Sequence, residues 1–192
     1  MKEVVKKYTE SLRNALDSID PNKMLILTNS LQDAWVSGKA IYICGNGGSA
    51  GNAIHLANDF LYGAGINNGC GLRVEALSAN AAVLTCLAND VGYESIYSEQ
   101  LKVKGNPGDV LIVLSGSGNS PNVVKALEIG NALKMKTFAI LGFSGGACKK
   151  IAQHVLHFEV DDMQIAEDLQ LIVGHMCMQH LNQQTLARPE NQ

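Results

Sequence analysis

Two short loops of small residues constrain this chain more than any other feature: Gly45-Asn46-Gly47-Gly48-Ser49 and Ser115-Gly116-Ser117-Gly118-Asn119-Ser120. Each follows an apolar run rich in β-branched residues, Ala40-Ile41-Tyr42-Ile43-Cys44 and Val110-Leu111-Ile112-Val113-Leu114. Each also precedes a stretch of helical character. A strand that ends in such a turn and opens a helix is the start of a βαβ unit, which calls for a parallel sheet covered by helices. The turn leaves free N–H groups at the positive end of the helix, a cradle for anions and above all phosphate. Two such turns, the second with three hydroxyls, point to a site that grips a phosphorylated small molecule.

The rest of the chain fits that frame. Helices are expected from Lys2 to about Leu16 and from Pro21 to Ser37, the second capped by Asp20, with Leu25, Ala34 and Trp35 on its apolar face. Strands at 40–44, 72–77, 110–115, 136–142 and 154–160 then alternate with helices at 49–62, 79–88, 120–134 and 164–184. The strands are short and apolar, as parallel strands buried on both faces are. We therefore expect one α/β domain over 1–192: N-terminal helices over 1–38, an α/β core with a long final helix over 39–186, and a tail over 187–192. The surplus of helix at both ends suggests packing against another copy.

Composition excludes several classes. Hydrophobic residues make up 46% and charged ones 17%, which suits a well-buried globular chain. A formal net charge of −3 argues against nucleic acid as a partner. No apolar run reaches the ~18 residues of a membrane span, and Met1-Lys2-Glu3 leads into an amphipathic segment, not a signal peptide, so a cytoplasmic location is expected. The five cysteines are odd in number and lack CxxC spacing, as reduced cytosolic thiols do.

Some residues carry potential chemistry. Gly45 to Ala50 also matches the dinucleotide fingerprint G-x-G-x-x-A, but the acidic partner expected ~20 residues on is missing, Glu75 lying beyond it. Ser115, Ser117 and Ser120 exceed what helix capping needs, and no P-loop lysine accompanies them. His55 and Asp59, four apart, share a helix face and could form half of a metal or acid–base site. Glu167 and His175 lie eight apart on the last helix, about 12 Å along its axis. Asn89-Asp90 by itself reads as a turn.

Taken in order, the first loop, Asn89-Asp90 and the second loop resemble the sugar isomerase (SIS) domain, and within it the phosphoheptose isomerases. The resemblance covers nearly the whole chain. It implies a three-layer, flavodoxin-like sandwich on a five-stranded parallel sheet, and isomerisation of sedoheptulose 7-phosphate to D-glycero-D-manno-heptose 7-phosphate through an enediol. Asn46, Gly47, Gly48, Ser49, Asn89, Asp90 and Glu167 would contact substrate, and Ser115, Gly116, Ser117 and Ser120 would hold its phosphate. His55, Asp59, Glu167 and His175 would bind a divalent metal, typically zinc, with Asp59 and His175 as the catalytic pair. A homotetramer with sites completed by neighbouring chains is implied too, as is a place in lipopolysaccharide or capsule heptose synthesis. The chain departs from the family in having Asp59 for Glu, Glu167 for Gln and Gly116 for Thr. The alternatives are a nicotinamide-dependent enzyme and a non-catalytic SIS module, either a sugar-phosphate sensor or a binder of the replication initiator. Retention of His55, Asp59 and His175 counts against the last.

Overall fold

The computed structural model describes residues 1–67 and 69–184; the expected tail over 187–192 lies outside the described residues. In chain order the elements are α1 (Lys2–Asp17), α2 (Pro21–Val36), β1 (Ala40–Cys44), α3 (Gly48–Leu61), β2 (Arg73–Ala76), α4 (Ala81–Asp90), α5 (Ser98–Lys104), β3 (Val110–Ser115), α6 (Pro121–Ala132), β4 (Lys136–Leu141), α7 (Cys148–Ile151), β5 (His154–His157) and α8 (Met163–Gln183). Short 3₁₀ turns occupy Gly63–Gly65 and Tyr93–Ser95. All five strands run parallel in the order β2-β1-β3-β4-β5.

Alternation along each strand splits the core in two. Ile41, Ile43, Val110, Ile112, Phe138 and Ile140 face α2, α3 and α8, together with Leu31, Leu56 and Leu169. Tyr42, Cys44, Leu111, Val113 and Ala139 face the other way, against Ile96, Tyr97, Val123 and Leu127. The result is a three-layer sandwich, as expected from strands buried on both faces.

Local chemistry sets the helix ends. Asp20 caps α2 through the Asn22 N–H, Asn80 caps α4 through those of Ala82 and Val83, and Asp162 caps α8 through that of Ile165. The Asn80 cap moves α4 two residues beyond the expected 79–88. Leu25 is exposed, so Leu27 and Leu31 join Ala34 and Trp35 on the buried face of α2. β5 stops at His157, although Phe158 and Val160 still reach the core. Sequence periodicity missed α5 and α7, which at seven and four residues are too short to show it.

Candidate active site

The strand order reverses between β1 and β3, the switch point where open α/β sheets bind ligands beyond their carboxyl ends. The first loop leaves β1 and the second leaves β3, so the fold sets them side by side. Gly47 turns the first loop into α3 with φ +55°, a conformation that side chains rarely adopt. Gly47 and Gly48 are exposed, and Ser49 is buried in the first turn of α3.

Asn46 faces inward. Its Nδ2 donates to Asn122 Oδ1 and Asn122 Nδ2 returns a bond to Asn46 Oδ1, both at 2.8 Å. Tyr93 OH, at 3.1 Å, and Tyr97 OH, at 3.4 Å, also donate to that oxygen. Tyr97 OH bonds Gly45 O as well, and burial pushes its phenol well above the ordinary range, so it remains a donor. The sequence reading puts Asn46 against the sugar. Its amide oxygen also ties the first loop to the start of α6. Asn122, Tyr93 and Tyr97 carry no sequence signal for this role.

In the second loop, Ser115 Oγ accepts from Gly118 N at 3.0 Å and Ser117 Oγ accepts from Asn119 N at 3.3 Å. Both hydroxyls thus keep their proton for an outside acceptor. Ser120 stands at the N-cap of α6 without a side-chain capping bond. The loop is zipped to the turn after β4: Cys148 N donates to Gly118 O and Ala147 N to Asn119 Oδ1.

A second centre forms between α3 and α8, which run side by side in parallel register. Asn52 donates to Glu167 O and to Gln170 Oε1, and a Cβ on Gly174 would overlap Leu56. One further turn along, His55 Nε2 and His175 Nε2 are 2.9 Å apart. Asp59 Oδ2 lies 3.4 Å from the first and 3.3 Å from the second. A tetrahedral ion with bonds of about 2.0–2.1 Å separates its ligand atoms by roughly 3.3 Å. Two imidazole nitrogens and a carboxylate oxygen at this spacing therefore fit a metal by donor type and by geometry, with a fourth position open. The His55 and His175 side chains keep 50% and 40% of their exposure and Asp59 18%, so the centre faces outward.

Glu167 is not part of this group. Its carboxylate lies over Gly48, where a Cβ would overlap it, two turns of α3 from His55. Eight residues of straight helix hold it away from His175, so within one chain the four expected ligands do not converge. Asn89 and Asp90 end α4 on the surface, the Asp90 oxygens accepting from Asn89 Nδ2 and from the Cys86 thiol. Glu75, the acid nearest to what a dinucleotide site needs, is paired with Lys104.

Comparison with known proteins gives the family and the fold. The SIS domain family matches residues 7–142. A phosphoheptose isomerase of Helicobacter pylori strain P12 is 38% identical over 175 residues, 91% of this chain and 86% of that protein. One from Akkermansia muciniphila is 38% identical over 144 residues, 75% of this chain and 76% of its own. The structure of phosphoheptose isomerase GmhA from Neisseria gonorrhoeae superposes with a TM-score of 0.85 at 25% identity, covering 94% of this chain and 97% of that one. A phosphoheptose isomerase from Francisella tularensis shares the fold, with a TM-score of 0.87 at 23% identity over 95% of this chain and 96% of its own. The chain belongs to the SIS-domain family and, within it, to the phosphoheptose isomerases.

Proposed function

We propose that this chain is an aldose–ketose isomerase of phosphorylated sugars that converts sedoheptulose 7-phosphate to D-glycero-D-manno-heptose 7-phosphate. The observation that carries the reading is the triangle of His55 Nε2, His175 Nε2 and Asp59 Oδ2 in a chain that also bears a hydroxyl-rich loop at the switch point. Isomerisation removes a proton from C1 of the ketose and returns one to C2, while O1 loses a proton and O2 gains one. A carboxylate suits the carbon-bound proton and an imidazole suits transfer between the oxygens, so Asp59 takes the first role and His175 the second. His55, Asp59 and His175 would hold a divalent ion, zinc by its N/O preference, which when bound polarises the carbonyl and stabilises developing negative charge. Ser115, Ser117 and Ser120 hold the phosphate, so that binding energy at the remote end orients C1 and C2.

The reading requires more than one copy. On α8, Met163 lies against Gly116 of the second loop and His175 lies in the His/Asp centre. Twelve residues of helix separate them, about 18 Å. Bonds of ~1.5 Å give a seven-carbon phosphosugar an extended reach of roughly 10 Å from C1 to phosphorus. One substrate therefore spans a phosphate loop and a His/Asp centre only if they come from different chains, and Glu167 joins such a centre from a neighbour. Helix α1 has no buried residue, and Val4, Val5, Leu25, Ile26, Ile54 and Leu61 are exposed, which supports a homotetramer with shared sites. No helix among the described residues is long and apolar enough to cross a membrane, and a cytosolic setting suits the buried thiols of Cys44, Cys148 and Cys177. The test is conversion of sedoheptulose 7-phosphate by purified protein, with metal content measured before and after chelation. No turnover of this substrate by metal-replete protein would refute the reading.

A further inference from the structure

We propose that Met163 and Phe143 form an apolar wall over the second loop that recognises the carbon beside a bound phosphoryl group, so that the loop prefers a phosphate ester of a primary alcohol to free phosphate. This rests on the second loop being the phosphate site.

Gly116 lies between Ser115 and Ser117, and the space its side chain would use is already filled. A Cβ there would stand 2.5 Å from Met163 Sδ, 3.1 Å from Met163 Cε and 3.5 Å from Phe143 Cε2. Glycine at this position leaves room for the thioether. Met163 opens α8, whose first turn is fixed by the Asp162 cap, and keeps 39% of its exposure. Its thioether thus lies on the loop in a residue that is still partly exposed. Phe143 is held from the other side. Its backbone is left-handed, with φ +44°, uncommon for a bulky residue and maintained only by its surroundings. Phe143 N donates to Val160 O at 3.0 Å and His157 Nε2 bonds Phe143 O at 2.8 Å, which clamps the residue beside Gly116.

The chemistry of the wall decides what it recognises. A phosphoryl group needs donors, which the Ser115 and Ser117 hydroxyls and the loop backbone supply. A thioether and a phenyl ring donate nothing. They gain only from apolar contact, and a phosphate ester offers that through its carbon, whereas free phosphate has none.

The test compares inorganic phosphate and ethyl phosphate as inhibitors of the metal-replete enzyme. Each methylene-sized apolar contact is worth about a fourfold change in affinity. Met163→Ala is expected to weaken ethyl phosphate about fourfold to tenfold and to leave inorganic phosphate within a factor of two. Met163→Leu should retain the preference for the ester. Adding Gly116→Thr to Met163→Ala introduces a hydroxyl and should tighten both ligands alike, without restoring that preference. Equal weakening of both ligands by Met163→Ala, or no weakening of either, overturns the wall. If the Ser115→Ala, Ser117→Ala double variant binds inorganic phosphate as tightly as wild type by titration calorimetry, the phosphate site lies elsewhere and the proposal falls with it.

Discussion

Asp59 Oδ2 reaches both imidazoles at nearly the same distance, 3.4 and 3.3 Å, and this fixes how long the side chain at position 59 can be. The added methylene of Asp59→Glu would push the oxygen past the point that the two nitrogens face. Misplacement by ~1 Å costs on the order of a hundredfold, so Asp59→Glu should lower kcat by about that factor and reduce retained metal, read by steady-state kinetics and elemental analysis. Gain of activity would show that the centre is tuned for something other than sedoheptulose 7-phosphate. On the proposed mechanism His175→Ala removes both a ligand and an acid–base group and should lower kcat by roughly a hundredfold to ten-thousandfold. Asn122 is 1% exposed, and Asn122→Ala would leave the Asn46 amide without its reciprocal partner. The expected loss is about 1–3 kcal/mol in urea unfolding. That pairing is not legible in the sequence, because Asn46 and Asn122 are 76 residues apart and asparagine in a glycine-rich loop reads first as a turn residue.

Among the elements, the pair α3 and α8 carries the centre, and Gly174 sets how closely they approach. A methyl group there would overlap Leu56, itself 2% exposed. Gly174→Ala is therefore expected to destabilise the protein by about 1–3 kcal/mol despite its better helix propensity, and to loosen the adjacent His175. Circular dichroism melting checks the first effect and metal content the second. Helix α1 is held to α8 by a bond from Tyr8 OH to Asp168 Oδ2 at 2.6 Å. That hydrogen bond, then desolvation and the Asp168 and Asp162 charges, push the Tyr8 phenol up to about 12. An undocked Tyr8 releases its proton near pH 10 while the docked one keeps it, so docking is fully stabilised below pH 10 and weakens as pH rises toward 12. The melting-temperature advantage of wild type over Tyr8→Phe should shrink across that interval; a constant gap would mean that the phenol does not hold α1.

For the whole molecule, the proposed function makes assembly part of the active site, because one substrate would have to span the second loop and the His/Asp centre. Light scattering at micromolar concentration should give a tetramer, and a monomer would contradict the shared-site reading. A sharper check mixes two impaired variants, the double variant Ser115→Ala with Ser117→Ala and the single variant His175→Ala, and lets them reassemble together. Mixed oligomers place an intact loop beside an intact centre from another chain, so activity should reappear; continued silence would assign each site to a single chain.

The parallel α/β architecture and the two loops were legible from sequence because both are local. β-Branched runs, glycine turns and helix caps act over a few residues, and their alternation leaves few topologies open. The pairing of His55 with Asp59 was legible for the same reason, since both lie on one helical face. What only the tertiary structure decided was which distant residues meet. His175 joins His55 across 120 residues because α8 packs parallel to α3, while Glu167 is carried two turns away by the same packing. The filling of the Gly116 space by Met163 had no local signature either, since glycine in such a loop already explains itself as a turn. Spacing along a chain predicts shared faces, but convergence depends on helix register, which the buried contacts of the whole core determine.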